Sequence, residues 1–246
     1  MSRRSRTILV TSVASLLALM ALTWAGWQLS KSRSYQLFGE LVTRVETADS
    51  VVALTFDDGP VPGYTDSVLS VLADRQVSAT FFVVGAGLAK YPELARRITA
   101  GGHELGNHSY SHRALVLTSP AVVREEIHAT DSLIRCTGQS GEIHVRPPYA
   151  KRLVILPWLL SRENRKTVLW DLEPDSYPDL REDPARIVDY VVRNVRPGSI
   201  ILLHVETSGR TSERAALPAL IDALQRTGYR FVTVSELLHR AASAEA

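Results

Sequence analysis

Short apolar runs alternate with helix-like segments through most of the chain, and this alternation restricts the fold more than any other feature. The runs occupy residues 51–56, 79–84, 103–107, the neighbourhood of Val145, 167–172, 199–204 and 231–234. Strands that alternate with helices pair in parallel and are joined by right-handed crossovers. We therefore expect an α/β fold, a distorted single-domain (β/α) barrel with about seven parallel strands. An open doubly wound sheet is the alternative.

Two segments between these runs carry recognisable helix starts. Ser119-Pro120 and Asp183-Pro184 each place a side chain that can cap a helix before a proline that suits the first turn. Upstream of the first run, residues 35–45 could add a strand at the base of the domain.

The N-terminus contains a separate apolar segment. Residues 8–29 include no charged side chain, and about 20 apolar residues are enough to cross a bilayer as a helix. Basic residues precede the segment, and Trp24 and Trp27 lie near its far end, so we expect a single-pass anchor in the cell membrane with the following domain outside the cytoplasm. A cleaved signal peptide is the alternative, although Thr23, Trp24 and Ala25 form a poor cleavage site.

The charges are unevenly distributed. The chain has 28 Lys and Arg against 26 Asp and Glu, and five of the basic residues lie before residue 35, where there is no acid. The rest of the chain is therefore slightly acidic and gives no indication of nucleic-acid binding. Cys136 is the only cysteine, which excludes an intramolecular disulfide.

Polar side chains follow the apolar runs at the points where strands should end. Asp57 and Asp58 end the first run, and His108, Arg146 and His204 follow later ones. Active sites of parallel barrels are built at the carboxyl ends of the strands. We therefore expect these side chains to share one site.

The "HSYSH" stretch predicts a metal site. His108 and His112 are four residues apart, one helical turn, so both imidazoles can reach one ion. Two histidines and a carboxylate are a common ligand set, and Asp58 is the expected third ligand. Asp57 is then available as a general base toward water activated by the metal. The structural alternative is that the two aspartates form a helix cap or an Asx-turn.

Two further stretches suggest chemistry. In "LLH", Leu202 and His204 share one face of a strand, which places an apolar surface beside a titratable ring. In "RPPY", Arg146 supplies a fixed positive charge, and a rigid turn could point the Tyr149 N–H inward. A buried structural histidine and an ordinary proline-stiffened loop are the alternatives.

Taken in order, "TFDDGP", "HSYSH", "RPPY", "WDLEPDSY" and "LLH" resemble the five motifs of the polysaccharide deacetylases of carbohydrate esterase family four, the NodB-like domain. The resemblance covers about residues 50–238. It implies a distorted β/α barrel, one divalent metal ion such as zinc, with cobalt or manganese as alternatives, and hydrolysis of N-acetyl groups on N-acetylhexosamine glycans such as peptidoglycan, chitin-like polymers or exopolysaccharide.

The resemblance also implies a role for individual residues. Asp57 resembles the general base, and the metal ligands would be Asp58, His108 and His112. Arg146 would orient Asp57, and His204 would be the general acid. The remaining implied residues would contact substrate: Tyr149 through its N–H, Leu202 at the acetyl methyl group, and Trp170.

The fourth motif departs from the family pattern. Glu173 stands where an aspartate usually supports the acid histidine, and Tyr177 stands where a tryptophan is frequent. We expect Glu173 to support His204, with Asp175 as the alternative.

The predicted organisation assigns each part of the chain. Its parts are a basic cytoplasmic segment (1–7), the anchor (8–29), a linker with an N-terminal strand (30–50), the deacetylase domain (51–240) and a tail (241–246). The predicted partners are the glycan substrate and the membrane, without a protein partner. A deacylase of a lipid-linked sugar or small amide, and a glycan-binding module that lacks catalysis, are the alternative functions. A two-carboxylate glycosidase is disfavoured, because adjacent aspartates cannot flank a glycosidic bond.

Overall fold

The computed structural model describes residues 3–244 and has a mixed α/β fold. Seven strands are present in this part of the chain: β1 (Leu41–Val42), β2 (Val51–Asp57), β3 (Thr80–Val83), β4 (Glu104–Asn107), β5 (Thr167–Val168), β6 (Ile200–Leu203) and β7 (Arg230–Val232). The helices that the same residues form are α1 (Arg3–Ser30), α2 (Tyr64–Asp74), α3 (Gly85–Lys90), α4 (Pro92–Ala100), α5 (Pro120–Arg135), α6 (Ile155–Arg162), α7 (Pro184–Asn194), α8 (Thr211–Arg226) and α9 (Val234–Ala244).

Strand β2 is the centre of the main sheet. It pairs in parallel with β3, β6 and β7, and β3 pairs in parallel with β4. Strands β1 and β5 form a second parallel pair. The predicted parallel α/β architecture is therefore confirmed.

Between the two sheets the links are single residue pairs rather than regular ladders. Val145 bridges Asn107 on one side and Thr167 on the other, and Leu172 bridges Ile201. The predicted strand around Val145 is thus one isolated bridge, and the predicted strand 167–172 is regular only at β5. Complete closure of the barrel stays a prediction.

The core explains why β2 reads as an uninterrupted apolar run. All seven of its residues are buried, and its apolar side chains alternate between two hydrophobic clusters, with Val52, Leu54 and Phe56 in one and Val51 and Ala53 in the other. Phe56 and Phe81 meet inside the main cluster with ring centroids 5.0 Å apart. A rigid, fully buried strand therefore leads directly to Asp57.

Both predicted helix starts are confirmed. The Ser119 side chain accepts a hydrogen bond from the Val122 N–H at the start of α5, and the Asp183 side chain accepts from the Ala185 N–H at the start of α7. Each is followed by a proline in the first turn. Helix α5 also contributes to the candidate site.

Helix α1 is 28 residues long. Its most apolar stretch of 18 residues has a mean hydropathy of 2.1, and no residue of that stretch is buried inside the protein. By length and composition it can cross a membrane, and a signal sequence would pass the same test. At the other end of the chain, α9 continues to Ala244 through most of the predicted tail. Residues 1–2 of the basic segment and 245–246 of the tail lie outside the described residues.

Candidate active site

Asp57 is the most firmly held side chain of the site. It ends β2, it is 2% exposed, and its Oδ1 accepts a hydrogen bond from Arg146 Nη1 at 2.7 Å. The remaining donors of Arg146 reach Thr55 Oγ1 and the carbonyl oxygens of Val168 and Leu169. Because this buried guanidinium is fixed by several acceptors, it also fixes the carboxylate.

The backbone turns immediately after Asp57, which lets adjacent carboxylates face the same space. Asp58 has φ 77, in the left-handed region that non-glycine residues seldom adopt. Its Oδ2 accepts a hydrogen bond from Thr207 Oγ1 at 2.9 Å. Backbone conformations of this kind cluster at functional sites.

His108 and His112 meet although no helix joins them. Both lie in the loop after β4, in which Ser109 and His112 have φ 63 and 57. The predicted helical turn is therefore wrong, yet the ring centroids are only 5.0 Å apart. Glu126 of α5 fixes the loop, because its carboxylate accepts from the N–H groups of Tyr110 and Ser111 and from the Ser111 hydroxyl.

Asp58, His108 and His112 form a group that fits a metal ion. Their ligand atoms all lie within 4.8 Å of one another. Asp58 Oδ1 is buried and accepts no hydrogen bond from the described residues, while His112 Nε2 lies 3.0 Å and His108 Nε2 3.6 Å from it. An acceptor buried without a donor beside two imidazole nitrogens is the arrangement that a cation completes.

The tautomer of His108 supports this fit. Its Nδ1 lies 2.7 Å from the Arg146 carbonyl oxygen, which can only accept, so Nδ1 carries the proton and Nε2 keeps a lone pair. Burial lowers the pKa of His108 and favours the neutral ring. Burial alone would raise the pKa of Asp58, but the neighbouring imidazoles of His112 and His108 hold it well below its usual range.

His204 follows β6 and forms an ion pair with Asp175. Its Nδ1 lies 2.9 Å from Asp175 Oδ2. Burial alone would lower the pKa of His204, but Asp175, Asp57 and Asp58 outweigh it and raise the pKa to about 9. At neutral pH the ring is therefore charged and can donate a proton.

The structure differs from the prediction that Glu173 supports His204. Glu173 Oε2 instead accepts from Arg33 Nη1 at 3.1 Å and from the Ser176 hydroxyl. A short 3₁₀ turn, Pro174–Ser176, separates the two acids, and it directs Asp175 rather than Glu173 to the histidine.

These groups line one cavity of about 350 Å³. Its wall includes Asp57, the Asp58–His108–His112 group, and His204 with Asp175, and Tyr149 and Trp170 also contribute to it. Trp170 Nε1 is buried and has no hydrogen-bond partner among the described residues.

Two predicted substrate contacts have different outcomes in the structure. Tyr149 has φ 59, and its ring centroid lies 4.8 Å from that of His112, so the "RPPY" turn reaches the Asp58–His108–His112 group. Leu202 is fully buried in the core and does not line the cavity that contains Asp57 and His204. A methyl pocket at Leu202 remains a prediction that this arrangement does not favour.

Three supporting residues were missed in the sequence. Arg210 lines the cavity and lies 3.2 Å from Asp175 Oδ2, while Thr207 and Glu126 hold Asp58 and the histidine loop. Each lies outside the recognised motifs and reaches the site only through the packing of α5 or the segment before α8. The polar residues just after "LLH" were the one available signal.

Comparisons with known proteins agree with this geometry. Residues 44–163 match the family model described as polysaccharide deacetylase. The chain is 36% identical over 198 residues to a chitooligosaccharide deacetylase of a Bradyrhizobium strain, an alignment that covers 76% of this chain and 90% of the relative. It is 33% identical over 202 residues to a peptidoglycan-N-acetylglucosamine deacetylase of Bacillus cereus, covering 81% and 93%.

A solved structure gives the same result for the fold. A peptidoglycan N-acetylglucosamine deacetylase superposes with a TM-score of 0.75 at 30% identity, covering 80% of this chain and 92% of the other. Because these relatives match most of the chain and residues from each of the five motifs line one cavity, the chain belongs to the polysaccharide deacetylases of carbohydrate esterase family four, hydrolases that act on N-acetyl amide bonds.

Proposed function

We propose that this protein is a metal-dependent hydrolase that removes N-acetyl groups from N-acetylhexosamine glycans at the outer face of the cell membrane. The observation that carries the proposal is that one cavity holds two different groups. Asp57, fixed by Arg146, and the Asp58–His108–His112 group line the same cavity as the His204–Asp175 pair. A base and a protonated acid within one cavity suit the hydrolysis of an amide.

Asp58, His108 and His112 would hold the metal ion, and zinc suits a set of two imidazoles and one carboxylate, with cobalt and manganese as alternatives. A bound divalent ion supplies Lewis-acid activation of water and of the acetamide carbonyl. The Arg146 carbonyl and Thr207 fix the orientation of two of these ligands.

The remaining steps belong to the side chains. Asp57 accepts the proton of the attacking water, and Arg146 keeps its carboxylate in place. The Tyr149 N–H donates to the carbonyl oxygen as charge develops there. His204, charged through its pairing with Asp175, donates a proton to the departing amine, so acetate and a free amino sugar are released.

The location follows from α1. We assign it as an uncleaved anchor because the apolar segment lies in one unbroken helix with basic residues before it, and the Ser30 carbonyl at the end of that helix accepts a hydrogen bond from the Arg152 N–H of the domain. The domain then lies outside the cytoplasm, where cell-wall and exopolysaccharide glycans are located.

The test uses the full chain in detergent, incubated with chitooligosaccharides and peptidoglycan fragments with and without a chelator. Loss of acetyl groups by mass spectrometry, abolished by the chelator and restored by zinc, is the expected result. Glycan binding without acetate release would show that the protein is a glycan-binding module and not an enzyme. Loss of acetyl groups that no chelator affects would show that the activity does not depend on a metal.

A further inference from the structure

Two loops of the active site continue into apolar residues at the same edge of the domain. The loop that carries His112 reaches Leu117 five residues later, and the loop that carries Tyr149 reaches Leu153 four residues later. A bridge between Leu115 and Arg152 joins the two loops. Leu117 is 93% exposed, the most exposed large apolar side chain of the described part of the domain.

These apolar residues lie against α1. They enclose a strongly apolar groove of about 330 Å³ together with the last turns of the helix. The groove is lined by Val116, Leu117 and Leu153 from the domain and by Leu22, Gly26 and Trp27 from α1. We call Val116, Leu117 and Leu153 the apolar tip.

The groove extends along α1 from its C-terminal end at Ser30 toward the middle of the helix. Leu22 lies eight residues before Ser30, which corresponds to about 12 Å along an α-helix. If α1 crosses the bilayer with its uncharged segment 8–29 in the hydrocarbon, whose thickness is about 30 Å, side chains that contact Leu22 lie below the membrane surface.

The end of α1 is fastened to the domain, so the tip cannot swing away from it freely. The Arg152 N–H donates to the Ser30 carbonyl at 2.8 Å, and its guanidinium donates to the carbonyls of Ser32 and Tyr35. The Lys151 ammonium lies 5.0 Å and the Lys31 ammonium 5.9 Å from the Trp27 ring centroid. Two lysines beside a tryptophan suit the headgroup level, where aromatic rings and cations meet anionic lipids.

We infer that the apolar tip inserts into the outer leaflet beside α1 and holds the mouth of the active site at the bilayer surface. The partner is the lipid bilayer itself, and the favoured substrates are N-acetylated sugars presented close to it on a lipid carrier. This rests on the proposed anchor and the proposed deacetylase activity. The apolar tip is only four or five residues from Tyr149 and His112, which line the cavity, so insertion of the tip brings the cavity to the surface where a sugar on a lipid carrier is presented.

The insertion is tested by fluorescence on the full chain. In a Cys136→Ser background, Leu117→Cys carries an environment-sensitive nitrobenzoxadiazole probe, and the protein is reconstituted in vesicles of phosphatidylethanolamine and phosphatidylglycerol. The control is Ser140→Cys, an exposed site beside His103 and Glu104 at the opposite end of the sheet. We expect lipids with quenchers in the acyl chains to quench the probe at 117, and aqueous iodide to quench the probe at 140.

Two results would overturn the insertion. One is iodide quenching at 117 equal to that at 140, which would place the tip in water. The other is protection at 117 from both quenchers, which would mean that protein, from this chain or a second copy, covers the tip instead of lipid.

The substrate class is tested separately in the same vesicles. Leu117→Asp should lower kcat/KM on N-acetylglucosamine attached to a lipid anchor by about tenfold, because burying one leucine side chain in an apolar medium changes its partition coefficient by about that factor. The same variant should leave the hydrolysis of soluble chitooligosaccharides unchanged. Ser140→Asp adds the same charge and should change neither. Equal effects of Leu117→Asp on both substrates would refute the substrate class. A parent protein inactive on both would refute the proposed function, while the quenching result would still decide the insertion.

Discussion

His204 Nδ1 lies 2.9 Å from Asp175 Oδ2, and Asp175 in turn lies 3.2 Å from Arg210 Nη2. The carboxylate is 9% exposed and therefore bridges two cations in a sheltered position. Glu173, two residues earlier, is occupied by Arg33. The carboxylate that pairs with His204 is therefore that of Asp175.

Replacing Asp175 with asparagine should move the alkaline limit of activity. His204 donates a proton only while it is protonated, so with a pKa raised to about 9 its contribution is complete at neutral pH and is lost as the pH rises through that value. Without the carboxylate the pKa falls, and the alkaline limb of kcat against pH moves to lower pH. Steady-state rates measured between neutral and strongly alkaline pH would show the shift.

Glu173→Gln is the matched control, because it removes a neighbouring negative charge without touching the ion pair. It should leave the alkaline limb close to that of the parent. If the alkaline limb of Glu173→Gln moves as far as that of Asp175→Asn, Glu173 rather than Asp175 alone supports His204.

The strand ends explain how much of the site was readable from sequence. Apolar runs locate the carboxyl ends of parallel strands, and those ends must meet, so the polar residues that follow the runs could be assigned to one site from the sequence: Asp57, Asp58, His108, Arg146 and His204. The resemblance to the family motifs then implied a role for each of them.

The features of the site that the sequence did not predict depend on loop conformation and on packing between residues distant in the chain. The four-residue histidine spacing suggested a helix, but left-handed backbone at His112 and the hydrogen bonds to Glu126 produce the same convergence from a loop. The 3₁₀ turn after Glu173 decides which acid faces His204, and spacing along the chain does not encode that direction. Thr207 reaches Asp58 through tertiary packing alone.

Asp57→Asn should retain the metal and lose about 10²–10⁴-fold in kcat, because the amide keeps the size of the side chain and cannot accept the proton. Arg146 can still donate to the amide oxygen, so the fold should persist. Rates come from acetate release, and metal content comes from elemental analysis of the dialysed protein.

A variant that deacetylates at the parental rate would exclude Asp57 as the base. Asp66→Asn is a suitable control, since this half-buried aspartate lies on α2, outside the cavity wall. It should change neither the rate nor the metal content.

Thr207→Val should weaken metal binding without removing a ligand. The Thr207 hydroxyl donates to Asp58 Oδ2 at 2.9 Å, and groups that orient a metal ligand in this way typically contribute about 10–100-fold to affinity. Competition with a chromogenic chelator measures the change in Kd. Thr227→Val, at the end of α8, is the control and should bind the metal as the parent does. Equal affinities for Thr207→Val and the parent would show that Asp58 needs no such support.

Arg152→Ala should loosen the linker that joins α1 to the domain. Arg152 is 1% exposed, and its guanidinium donates to the carbonyls of Ala150, Ser32 and Tyr35 as well as to Gln36 Oε1. Removing this buried guanidinium ends four hydrogen bonds from a charged donor and leaves the carbonyl of buried Ala150 without it, so we expect about 2–4 kcal/mol lower free energy of unfolding.

The linker should also become accessible to protease, with cleavage concentrated at residues 31–36. Denaturant unfolding and limited proteolysis of the full chain in detergent measure the two effects. Arg113→Ala removes an exposed arginine from the neighbouring loop and should leave both unchanged. An Arg152→Ala protein with parental stability and an uncleaved linker would mean that other contacts hold α1. In that case the Ser30 carbonyl, which accepts from the Arg152 backbone N–H and survives the substitution, would be enough to fix the helix on the domain.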